Sequence, residues 1–287
     1  MLSEWMQVFF PPSDCRRRYV GVFAAYVDAG GTTDPAPVYS LGCAVSTPER
    51  WIDFDARWQG AKIEFGLTKP FHMTDYNALT DQFAPWSGLP DRRQRFGKLL
   101  SIAASSVVLT AAYAVERALY EANVPDDVNE YMGGSPYGFL FMQLTIEVDE
   151  TLRKMAQFGA IDYDYQVAYI VESGDVGSAA IINAYNKGSR DSDFFQRIPS
   201  VSTAKKGSFS PLDLADIVAW TAHRNIAGDF GHRNAKGGLI DDKSGVVDGL
   251  FSKPNRWAYY KQDGLHLRHD VNTIQQILGQ PKEVFLT

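Results

Sequence analysis

The sequence is short of cysteine, of net positive charge and of long apolar runs, and each shortage excludes a class of protein. Only Cys15 and Cys43 occur in 287 residues, with no CxxC spacing. A cysteine zinc site and a disulfide framework are thereby excluded, and a reducing compartment fits. Lysine and arginine total 28 against 34 aspartates and glutamates, a formal net charge of −6, which opposes a sequence-independent grip on nucleic acid over the whole surface. No stretch approaches the ~20 apolar residues of a membrane-spanning helix, and MLSEWMQVFFPPSD lacks the basic flank and apolar region of a secretion signal. A cytoplasmic protein without a membrane partner is expected. Repeats and low-complexity tracts are missing too.

What is present is core material. Hydrophobic residues make up 45% of the chain and charged ones 22%, a balance far from that of disordered chains, so most of the length should fold around a sizeable core. Tryptophans such as Trp51, Trp58, Trp86, Trp220 and Trp257 belong to that core before they suggest base-stacking platforms. Strands are expected over 18–31, 37–46, 107–115, 165–175 and 198–203. Helices are expected from Pro48 through EFG's Phe65, with Trp51, Phe54, Trp58 and Ile63 on the apolar face, and over 91–106, about 136–158, 176–187 and 210–227. Residues 66–79 read as a loop. The result is an α/β fold with one domain over 1–228, and 229–287 as a C-terminal helical and loop extension packed on it.

Acids at the ends of apolar runs are the candidate chemistry. YVDAGG carries Asp28 to the end of a strand and turns at Gly30 and Gly31, which would keep the approach to the acid open; YIVESGD does the same with Glu172 and Asp175. Open sheets bind ligands at the carboxyl ends of strands. In SPLDLADIVAW, Ser210 reads as an N-cap, Pro211 as a first-turn proline and Asp213 as the capping-box acid. Asp216 differs, because Leu212, Ala219 and Trp220 around it are apolar and an acid there requires a partner. FHMTDY offers His72 and Asp75, readable as a ligand or proton carrier beside a metal, or as packing beside a helix N-cap. Clustered carboxylates repel and need a proton or a cation, and hard oxygen donors point to Mg²⁺ or Mn²⁺. The basic runs CRRRY, DRRQR and STAKKGS, the last with Lys205 and Lys206, could face a polyanion locally.

YVDAGG, FHMTDY, YIVESGD and PLDLADIVAW together resemble the domain of unknown function 3800 family, over roughly residues 20 to 225. The resemblance implies a ribonuclease H-like mixed β-sheet flanked by helices, similar to retroviral integrases. It also implies a hydrolase: a divalent-metal-dependent nuclease acting on DNA or RNA. The family patterns YxDESG and LQxADxxA match Asp28 and Asp216, with His72 at the loop histidine and Glu172 at the strand-end acid. In that reading Asp28, Glu172 and Asp216 hold two metal ions, His72 orients water or phosphate, Asp75, Asp175 and Asp213 are auxiliary, and Lys205 and Lys206 seat the nucleic-acid backbone. Two departures stand out: Ala29 and Gly30 replace the usual glutamate and serine, and Asp213 replaces the glutamine.

Two rivals remain. A catalytically degenerate domain that only binds nucleic acid or protein is favoured by the missing glutamate and opposed by the retained acids. DAGGTTD also resembles the first phosphate loop of the sugar-kinase and actin group, but the chain offers no convincing second loop.

Overall fold

The computed structural model describes residues 21–31, 36–174, 176–188, 193–229 and 255–259. Its centre is a mixed sheet in the order β5-β4-β1-β2-β3-β6. Strand β1 (Gly21–Gly30) runs antiparallel to β2 (Val38–Ser46), which runs antiparallel to β3 (Leu109–Glu116). Strands β4 (Tyr165–Ser173) and β5 (Val201–Lys205) then add parallel to β1 on its other side. Helices cover both faces of the sheet, which is why β1 reads as a near-continuous apolar run.

The alternation of β1 separates two cores. Phe23, Ala25 and Val27 pack beneath α6 (Pro136–Gln157) and α7 (Val176–Lys187), while Ala24 and Tyr26 face α1 (Pro48–Glu64), α3 (Arg92–Ser106) and α9 (Ser210–Asp229). Asp28 continues the second set. On β4 the same parity puts Ile170 in the α1/α9 core, with Glu172 two residues further on.

Helix α9 can lie close on the sheet because β2 presents Gly42 to it. A Cβ at Gly42 would stand 2.4 Å from the Ala219 nitrogen. Gly30 and Gly31 serve the same packing. A Cβ on Gly30 would meet Ser40 Oγ at 2.4 Å, and one on Gly31, whose φ is +76°, would meet the Val38 carbonyl oxygen at 2.1 Å. The two glycines seat α9 and β2 against the end of β1.

Several expectations shift. The segment 66–79, read as a loop, contains α2 (Met73–Ala78), ended by Leu79 at a left-handed φ of 55°, and a 3-10 turn follows at Asp81–Trp86. Six-residue elements are too short to display a period. Short helices α4 (Arg117–Asn123), α5 (Asp126–Tyr131) and α8 (Asp193–Gln196) were hidden for the same reason. Ile63 is 76% exposed, and the buried stripe of α1 runs through Trp51, Phe54, Trp58, Ala61 and Lys62 instead. Within 229–287, β6 (Asn255–Tyr259) pairs parallel with β3, so a strand of the extension joins the sheet edge. Cys15, the CRRRY run and Asp175 lie outside the described residues, as does the side chain of Trp257. None of the helices among the described residues is long and apolar enough to cross a membrane.

Candidate functional site

Four segments bring chemistry to the carboxyl-end edge of β1 and β4. Val27 and Val171 are the last partners in the parallel register of β1 and β4, so Asp28 and Glu172 follow them side by side on the α9 face. Asp216 comes from the second turn of α9, and His72 from the residue just before α2. Asp28 is 5% exposed and Asp216 6%.

Asp216 has the partners its apolar surroundings demand. Its Oδ2 accepts a hydrogen bond from the Met73 backbone N–H at 2.7 Å, and its Oδ1 accepts one from the Lys206 ammonium at 2.9 Å. His72 Nε2 lies 3.4 Å from the same Oδ1, while His72 Nδ1 stands 3.2 Å from Asp75 Oδ2. The imidazole is thus held between two carboxylates. The residue before α2 is His72, not Thr74 or Asp75, and its side chain makes no capping bond; a carboxylate 143 residues away accepts from the Met73 N–H. A hydrogen bond to an ionised group contributes about 1.5–3 kcal/mol, which ties the 66–73 segment to α9.

The aromatic packing holds this segment from the other side. Phe71 sits against Trp58, Phe83 and Phe96, and Tyr76 stacks on Phe96 with ring centroids 4.4 Å apart. His72 is therefore carried on a fixed backbone between a buried ring cluster and α9.

Lys206 is the residue that sequence reasoning placed elsewhere. It was expected beside Lys205 on a basic strip facing nucleic acid. Lys205 is exposed, but Lys206 turns inward, its Nζ 2.9 Å from Asp216 Oδ1 and 3.6 Å from Glu172 Oε1. The available signal was the alternation of β5: Thr203 and Lys205 are exposed, whereas Ala204 is half-buried and faces the same core as Asp28. Lys206 continues that inward set one step past the strand.

Electrostatics at the site are those of an acid cluster with one built-in counter-ion. Burial, then the charges of Asp216 and Glu172, push the Asp28 carboxyl well above the usual carboxylate range; Lys206 and the Ala29 N–H act against the rise. For Lys206 burial works against the charged form, but Asp216, Asp28 and Glu172 outweigh it and hold the ammonium above its ordinary range. Asp28 Oδ1 accepts from the Ala29 N–H at 2.8 Å, and no described residue donates to its Oδ2.

No protein-family model matches the chain, and no curated protein matches it. The residues themselves must carry the assignment.

Asp213 belongs to a different structure. Its Oδ2 accepts from Trp58 Nε1 at 2.9 Å and from Lys62 Nζ at 3.3 Å, so it faces α1 and not the acid cluster. Ser210 is the first residue of α9 and donates to Asp55 Oδ1 at 2.5 Å, while Gln59 donates to Ser210 Oγ. The expected capping box is replaced by a polar seam between α9 and α1. Burial of Lys62, at 4% exposed, requires that seam. In the DRRQR run, Arg95 pairs with Asp91 and Arg92 lies over the Tyr76 ring.

A divalent ion can be tested against this donor set. Among the described residues no three His, Cys, Asp or Glu side chains stand close enough to hold an ion as they are placed. The donor chemistry nonetheless suits a hard cation: Asp28, Glu172 and Asp216 offer only oxygens, and Lys206 is already seated against two of them.

Proposed function

We propose that this chain is a divalent-metal-dependent phosphodiesterase of the nuclease type, with its active site at Asp28, Glu172, Asp216 and His72. The observation that supports it is the convergence of three acids from distant segments, two of them at the carboxyl ends of neighbouring parallel strands, with a histidine held against the third. A meander of β1, β2 and β3 extended by parallel β4 and β5 is compatible with the ribonuclease H-like reading.

Asp28, Glu172 and Asp216 would hold Mg²⁺ or Mn²⁺, whose chemistry when bound is to activate water and to stabilise the leaving oxygen of a phosphodiester. His72, braced by Asp75, would orient that water or carry its proton. The partner on this reading is DNA or RNA.

Isothermal titration of Mn²⁺ into metal-free protein, repeated with Asp28→Asn and Asp216→Asn, tests the reading beside a cleavage assay on labelled DNA and RNA oligonucleotides. Metal binding lost in both variants, together with cleavage by the wild type, is the expected result. Metal binding without cleavage of any oligonucleotide would favour the degenerate binding domain, a reading supported by Ala29 and Gly30 standing where the resembled family has glutamate and serine. The phosphate-loop alternative is weakened by Gly30 and Gly31, whose free sides are filled by Ser40, Val38 and His223. Failure to bind Mn²⁺ with and without oligonucleotide would remove the nuclease proposal.

A further inference from the structure

Independently of the metal-dependent reading, we infer that His223 is an acid-sensitive latch between α9 and the Gly30–Gly31 end of β1: unprotonated it closes the two together, and on taking up a proton it opens them. His223 stands about two turns beyond Asp216 on the same face of α9, about 10 Å further along the helix axis. Its side chain lies against the last residues of β1. A Cβ on Gly30 would stand 3.2 Å from His223 Cβ, and one on Gly31 would stand 3.1 Å from Cε1 and 3.2 Å from Nδ1 of the ring. Two residues without side chains admit the imidazole, and the imidazole fills the gap they leave.

For packing alone the ring is a poor choice. Its Nδ1 is buried and has no hydrogen-bond partner, an arrangement that buried polar atoms rarely keep. Leucine or phenylalanine would fill such a space without that cost. What the imidazole adds is a response to protons. Neutral, it carries one proton, which Nε2 can hold while Nδ1 remains a bare lone pair; charged, it must carry a second N–H at Nδ1, a donor with no acceptor inside the packing. Burial alone holds the ring below its ordinary titration range. The ionisable groups around it bring no relief. Arg224, next on α9, lies over the Trp220 ring, and Asp28 is two residues before Gly30 on β1. Tyr39 and Cys43 of β2 belong to the opposite core, Glu116 of β3 pairs in register with Val38, and Tyr137 of α6 donates its hydroxyl to the Gly30 carbonyl. Helices α1 and α2 bond α9 at Asp213 and Asp216. Among the described residues none of these groups shifts the imidazole by its charge. Protonation therefore sets a desolvated charge against closure of α9 on β1, on the helix that carries Asp216.

Denaturation by urea in EDTA from pH 7.5 to 5.0, on wild type, His223→Phe and His223→Gln, reads the latch without any metal. A proton excluded from the folded state is bound by the unfolded one below about pH 6.5, so folding weakens as pH falls through that value. The folding constant of wild type should decline against that of either variant by up to about tenfold per pH unit below about 6.5. Asp28 is common to all three proteins and cancels in the comparison. Hydrogen exchange, corrected for the intrinsic effect of pH, should rise in 217–229 of wild type between pH 7.5 and 5.5 relative to 136–157, and should not do so in the variants. Should neither variant fold, the His223 imidazole is titrated in wild type by NMR, where a midpoint below about 6.5 is expected and one at or above it would overturn the inference. Parallel pH profiles of wild type and variants, or exchange that rises equally in both helices, would overturn it as well.

Discussion

Replacing Asp28 by asparagine should stabilise the metal-free protein, although Asp28 lies at the centre of the candidate site. Asparagine keeps an oxygen for the Ala29 N–H and nearly the same volume at a position 5% exposed. It removes repulsion from both Asp216 and Glu172 and forfeits attraction to Lys206 alone. One uncompensated like-charge pair at ~6 Å and an effective dielectric of about 20 amounts to about 3 kcal/mol. The pH dependence follows from the direction of the shift. Because the folded-state pKa of Asp28 is raised, its contribution favours folding below the ordinary aspartate pKa of about 4 and is lost as pH rises through the raised value. The wild type should therefore weaken towards alkaline pH relative to Asp28→Asn, the gap growing to about 3 kcal/mol, or roughly 6–10 °C in Tm for a chain of this size. Urea and thermal denaturation of both proteins in EDTA from pH 4 to 9 measures it. A variant less stable than wild type by more than about 1 kcal/mol across that range would show that Asp28 is a satisfied structural acid, and the charge argument would fail.

Asp213→Asn should behave in the opposite sense, costing about 3–5 kcal/mol because Lys62 is left buried without its counter-charge; a denaturant midpoint equal to wild type would contradict the buried pair. Gly42→Ala pushes a methyl group into the backbone of α9 at Ala219. A loss of about 3 kcal/mol or more is expected, with weakened Mn²⁺ binding because Asp216 rides on the same helix; unchanged calorimetry would place α9 further from β2 than described. Asp149→Ala removes the acceptor shared by Tyr165, Arg197 and Arg153 in the other core's periphery. It should destabilise by about 2–4 kcal/mol and leave Mn²⁺ affinity untouched. A change in that affinity would mean that the two faces of the sheet are coupled.

Much of the architecture was readable in advance because both faces of the sheet are covered. That condition produces apolar strands such as 21–30 and 165–173 and apolar helix stripes such as those of α6 and α9, patterns local enough to register in sequence. The acids stood out for the same reason: Asp28, Glu172 and Asp216 interrupt those patterns, and an acid in an apolar context requires a partner.

Tertiary structure alone decided what the partners are. Asp213 and Asp216 lie three residues apart on one helix, yet one meets Lys62 and Trp58 of α1 while the other meets Met73, His72 and Lys206. Lys205 and Lys206 are adjacent, yet one faces solvent and the other faces the acids. Sequence by itself determined which residues needed a counter-charge, because desolvation depends on residue type and local pattern. The supplier of that charge depends on distances between segments far apart along the chain, and those exist only once the sheet order and the seating of α9 bring the segments together.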